Sequence, residues 1–164
     1  MKKILLILLM MTVFCPLSQA ATFFARVDGG TASQCNGLVD APYIAGSNLV
    51  QGCAFNHPFW ANSVSGNPTK MVGGDTLIIG QGHYPIGLGA PNTGTCNKNW
   101  PWECFMRALP SGTPSQPTRI LGKGWDTATS PAGAPQLWGN ERTSQIISLA
   151  NSNNIEIQYL EITD

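Results

Sequence analysis

The sequence predicts an all-β, loop-rich protein, and three observations carry that expectation. Beyond the first 20 residues, no window places apolar side chains at i, i+3, i+4 and i+7 over three turns, so amphipathic helices are not the building unit. Short apolar and polar alternations recur instead, each bounded by turn residues. The chain also carries 18 glycines and 12 prolines, which interrupt every run before it lengthens. At 43% hydrophobic content it can still support a core, which sets it apart from disordered glycine- and proline-rich chains.

The elements follow in order. Residues 1–20 read as a signal peptide. Met1-Lys2-Lys3 is a basic head, and Ile4 to Phe14 is an apolar run too short to span a bilayer. Ser18-Gln19-Ala20 supplies small residues for cleavage after Ala20. Cys15 does not fit a lipidation site, because Phe14 stands where a small residue is wanted. The expected location is therefore secreted, extracellular or periplasmic, with no membrane contact after cleavage. Without Lys2 and Lys3, seven basic residues face nine acidic ones. No basic stripe exists, which argues against a nucleic acid or anionic membrane partner.

Thr22 to Val27 reads as a first strand, ended by Asp28-Gly29-Gly30. Thr76 to Ile79 is a second, introduced by the turn Gly73-Gly74-Asp75. This strand runs into Gly80-Gln81-Gly82, which has the start of a dinucleotide-binding loop. Such a loop needs a third glycine opening a helix; here Pro85 holds that position and "PIGLGAPNTG" cannot start one. Gly80 and Gly82 are simpler as turn glycines, with Tyr84 packing back. Arg119 to Leu121 is a short strand stopped by Gly122-Lys123-Gly124. Residues 31–70, 87–117 and 126–135 read as loops.

Four cysteines follow the signal segment: Cys35, Cys53, Cys96 and Cys104. An even set in an exported chain implies disulfides, and four cysteines allow three pairings. Cys35–Cys53 and Cys96–Cys104 are favoured, since each closes a loop crowded with Gly, Pro and Asn. A zinc site is the weaker reading, because no Cys-x-x-Cys occurs and His57 and His83 lack ligand spacing.

The last 30 residues hold three apolar pairs: Ile147 with Leu149, Ile155 with Ile157, and Leu160 with Ile162. Ser148, Glu156 and Glu161 fall on the opposite faces. Asn151-Ser152-Asn153-Asn154 and Gln158-Tyr159 separate the pairs. Two arrangements fit: an antiparallel hairpin over the Asn-rich break, or strand–bend–strand coils facing one interior.

Taken together, "TFFARVDGG", "GGDTLIIGQGHY", "PTRILGKGWD" and "SQIISLANSNNIEIQYLEITD" resemble, in that order, the opening strands of right-handed parallel β-helix proteins of the pectin-lyase-like group. The inserts at 31–70 and 90–112 are similar to those of a subset of secreted bacterial proteins. The resemblance implies an N-terminal cap region over 21–117 and first coils over 118–164, with the remaining coils of the same protein beyond. Members that cleave acidic polysaccharides use outer-face carboxylates to hold calcium and an Arg or Lys base. Calcium takes six to eight oxygen ligands. Glu156, Glu161 and Asp164 point outward but read better as solvated charges, and Arg119 and Arg142 as structural. No catalytic position, cofactor or metal is carried onto this chain; Ca²⁺ is expected, if anywhere, in the longer protein. A glycosidase pair of Glu141 with Glu156 or Glu161 has no support from spacing.

Aromatic residues are the remaining lead. Trp60, Trp100, Trp102, Trp125 and Trp138 are many for this length. "CNKNWPWEC" would present Trp100 and Trp102 as a ligand-binding pair for sugar rings; otherwise they plug the end of the core. The expectation is a capping portion that is not catalytic alone, in a polysaccharide-binding or lyase-like protein. A non-catalytic adhesion or structural solenoid is the alternative.

Overall fold

A computed structural model describes residues 19–64, 69–93, 100–123, 133–140 and 143–163. Residues 1–18, which cover most of the expected signal peptide, and Cys96, Trp125, Glu141, Arg142 and Asp164 lie outside the described residues. Among the described residues there are seven strands, two 3-10 turns and no α-helix. The strands are β1 (Thr22–Gly30), β2 (Thr76–Ile79), β3 (His83–Ile86), β4 (Thr118–Gly122), β5 (Gln136–Gly139), β6 (Ile155–Gln158) and β7 (Glu161–Thr163). They form two sheets, ordered β1-β2-β4-β6 and β3-β5-β7, and every pair is parallel. The antiparallel hairpin is thereby excluded: β6 pairs with β4, and β7 with β5. The β2–β4 ladder joins residues on either side of the expected 117/118 boundary in one sheet.

The chain alternates between the sheets: β2 leads to β3, β4 to β5, and β6 to β7. Two of these crossings are very short, so a residue must turn sharply. Tyr159 does this at φ 63° between β6 and β7, with Asn151 and Asn154 also in the left-handed region before β6. Gly82 turns at φ 136° between β2 and β3, where Val27 leaves no room for a side chain. Gly122 is required for a different reason: a Cβ there would strike the carbonyl oxygen of Tyr159.

Strand alternation produces the core directly. Phe23, Leu77, Ile120 and Ile157 stand opposite one another in the first sheet, as Tyr84 and Leu137 do in the second. Phe23, Leu77, Ile120, Tyr84 and Leu137 are buried, while Ile157 is half-buried. A short third contact line closes the interior, where Met106 bridges Ile147 in parallel and Arg107 N donates to Ser63 O. Here the expectation of an Ile147–Leu149 strand is corrected. Ile147 makes an isolated bridge, and Leu149 is 52% exposed because the backbone turns at Asn151.

Two strands went unread in the sequence. In β3, Pro85 has no N–H to give a ladder. Gln136 N donates to Gly82 O and Asn140 N to Ile86 O, so β3 meets β5 through its even-numbered groups. Pro85 presents its carbonyl to the other edge, where no strand lies and a proline is tolerated. β5 is only four residues with two apolar side chains.

The loop from Thr31 to Val64 covers the free edge of β1. Phe24 N donates to Gly37 O, Gly30 N to Ala54 O, and Asn56 N to Gly30 O. Phe55 stacks on Phe23 with centroids 6.5 Å apart. Cys35 and Cys53 form the expected disulfide, with both residues buried. Cys104 is buried, and its expected pairing with Cys96 lies outside the described residues.

Ile120→Ala removes the middle of a buried column and is expected to cost ~2–5 kcal/mol, read as a lower urea midpoint with an unchanged slope. The Cys35→Ala/Cys53→Ala double variant opens an 18-residue separation and is expected to lose about 3 kcal/mol in the same assay. An unchanged midpoint would show that the capping loop contributes nothing to global stability.

Candidate functional site

Trp100 and Trp102 are the sequence-predicted binding pair, and the chain brings them together. The 3-10 turn Pro101–Glu103 sets the two indoles side by side, and Glu103 N donates to Trp100 O at 2.9 Å. Their centroids lie 5.4 Å apart with planes at 81°, so one ring forms a floor and the other a wall. They are 51% and 41% exposed. The turn is fixed to the rest of the molecule by Ser144, whose N and Oγ both donate to Trp102 O at 3.2 and 2.7 Å. Trp60 behaves differently: it packs against the core, and its Nε1 donates to Asn56 Oδ1 at 2.7 Å. Trp138 stands on β5 facing outward, 43% exposed.

The acidic residues do not converge. Glu156, on the first sheet, accepts from Arg119 Nε at 2.6 Å. Glu161, on the second sheet, accepts from Gln136 Nε2 at 3.2 Å. Among the described residues no group of three or more His, Cys, Asp or Glu side chains is arranged to hold a metal.

A cleft of about 430 Å³ lies where β1 and β2 end, lined by Arg26, Val27, Asp28, Asp40, Gly80, Gln81 and Lys123. Sequence reading missed it, since its charges come from three separate segments. Arg26 donates Nε and Nη2 to the two oxygens of Asp28, and Nη1 to Asp40. Lys123 binds the other oxygen of Asp40. The Arg26 hydrogen bonds hold the Asp28 carboxyl below its ordinary value, and the two carboxylates raise Arg26 further. Partial burial pushes Asp40 up, but the hydrogen bonds from Lys123 and Arg26 outweigh it. The cluster thus satisfies itself. It ties β1 to the capping loop and to the end of β4, and being largely solvent-accessible it contributes modestly.

Two buried polar residues pin the chain. Asp75 accepts from Ala21 N and Val72 N, both at 2.8 Å, through its two carboxylate oxygens. His57 is 3% exposed and caps the 3-10 turn Pro58–Trp60. Phe59 N donates to His57 Nδ1 at 3.1 Å, so that nitrogen carries no proton. Nε2 then donates to Pro85 O at 2.9 Å. Burial pushes the His57 pKa down to about 4.

Comparison with protein-family models, curated proteins and solved structures finds no match to the chain. What its geometry defines is an all-β protein of parallel sheets, with a disulfide-stapled capping loop and an exposed tryptophan pair. No helix among the described residues is long and apolar enough to cross a membrane.

The His57 geometry yields a pH dependence with a definite sign. The folded pKa, about 4, lies below the ordinary 6.5, so the unfolded chain binds a proton that the folded chain refuses. Stability is full above pH 6.5 and falls as the pH drops toward 4, by ~3 kcal/mol from this group. Urea midpoints measured across that range should slope downward with acid, and His57→Gln should flatten the slope. Equal slopes in both proteins would assign the acid sensitivity elsewhere.

Proposed function

We propose that the chain is the exported N-terminal capping portion of a right-handed parallel β-helix protein that binds carbohydrate through Trp100 and Trp102. The single observation that carries the sugar reading is the solvent-exposed, edge-to-face tryptophan pair on an anchored tip. Indole faces stack on the C–H faces of pyranose rings, and a right-angled pair grips a ring on two sides. Alternation between two parallel sheets, in one-to-one register, supports the β-helix reading. The Cys35–Cys53 disulfide supports export, since such bonds persist in oxidising compartments.

Further coils stacking on β6 and β7 would cover Leu149 and Ile162, which are exposed, and Ile157, which is half-buried. Any polysaccharide-lyase chemistry, with its calcium, belongs to those coils. The paired outer charges Arg119–Glu156 favour a second reading, a non-catalytic adhesion solenoid, because they are committed to each other.

Affinity electrophoresis of the mature chain through gels containing soluble polysaccharides tests the binding. Retardation is expected in at least one gel, weakened about tenfold or more in Trp100→Ala/Trp102→Ala with its thermal midpoint unchanged. Unaltered retardation in that variant would remove the tryptophan pair from the binding surface.

A further inference from the structure

The outward face of the second sheet carries a row of side chains that neither the core nor the tryptophan pair explains. In the parallel register His83, Gln136 and Glu161 lie opposite one another, and so do Pro85, Trp138 and Thr163. Tyr84 and Leu137 between them are buried, so the two rows alternate onto the outer side, where Trp138 is exposed while the Thr163 hydroxyl is covered. Residues two apart on a strand are separated by about 6.6 Å along it. The exposed Trp138 indole therefore stands beside a polar row at a distance comparable with the width of a sugar ring.

The polar row has a fixed direction. Glu161 Oε1 accepts from Gln136 Nε2 at 3.2 Å, and a carboxylate has no proton to give. That orients the amide, so Gln136 Oε1 is the acceptor for His83 Nδ1. In its neutral form His83 then carries its proton on Nδ1. Its Nε2 and the second oxygen of Glu161 remain as acceptors at the two ends, without partners among the described residues. A ligand that brings donors would complement the row.

We infer that this face is a second carbohydrate site, for a chain of neutral hexoses, a step that rests on the carbohydrate-binding reading above. One pyranose lies flat on Trp138, and its hydroxyls donate to Glu161 and His83. A uronate fits poorly. Its carboxylate brings no donor and adds a negative charge beside Glu161, and β3, β5 and β7 contain no lysine or arginine to offset it.

The test is titration of the mature chain with cellohexaose, mannohexaose and laminarihexaose, and separately with trigalacturonate, followed by calorimetry. At least one neutral hexasaccharide is expected to bind, with affinity falling about tenfold in Trp138→Ala and by a smaller factor in Gln136→Ala. Both variants alter exposed or half-exposed residues, and unchanged thermal midpoints would show that they fold. Trigalacturonate is expected to bind at least about tenfold more weakly than the best neutral ligand. Trigalacturonate binding as tightly as the neutral sugars would overturn the inference. Loss confined to Trp100→Ala/Trp102→Ala, with Trp138→Ala unaffected, would also overturn it while leaving the carbohydrate reading intact. Binding of no saccharide, neutral or acidic, would overturn both.

Discussion

One-to-one parallel register is the constraint on which everything else rests. Thr76 faces Arg119, and Arg119 faces Glu156, so a residue's neighbours above and below are set by strand position alone. A slip of one residue would turn Leu77 and Ile79 outward and bring Thr76 and Ile78 in. The register is held by groups placed just before the strands. Asp75 receives Ala21 N, and Thr118 Oγ1 accepts from Gly74 N while donating to Pro110 O. These buried polar groups are fully used, so they add specificity without leaving an orphan.

The same register sorts chemistry onto the outside. Opposite charges meet as Arg119–Glu156 on one sheet, and an amide links histidine to carboxylate on the other. Neither arrangement resembles the converging oxygens that a calcium ion demands. The cleft beside Arg26 follows a related logic: its charged atoms are already engaged with one another. The indoles of Trp100, Trp102 and Trp138, by contrast, stand exposed.

How much of this could be read from residues depends on whether the signal was local. β1, β2, β4, β6 and β7 were legible, because each carries its own alternation and its own turn residues. β3 was not, because Pro85 reads as a breaker unless one knows that His57 rather than a strand lies on that edge. Trp100 and Trp102 were legible as a pair because one residue separates them. The row of His83, Gln136 and Glu161 was not, since its members are 53 and 25 residues apart and meet only once the register is known. The placing of Glu156 and Glu161 on different sheets was hidden for the same reason, since it depends on which strands pair.

The separations that join the ladders also bear on how the chain reaches its fold. The Cys35–Cys53 loop closes over 18 residues, whereas Ala21 meets Asp75 across 54 and Arg119 meets Glu156 across 37. Closing each long excursion costs entropy before any ladder bond rewards it, and parallel pairing offers no two-residue hairpin to begin from. The disulfide-bearing loop is the shortest of these closures, and it places Phe55 and Gly37 where β1 will dock. It can therefore act as a template during slow assembly, shielding the β1 edge from intermolecular pairing while the later strands are still being recruited.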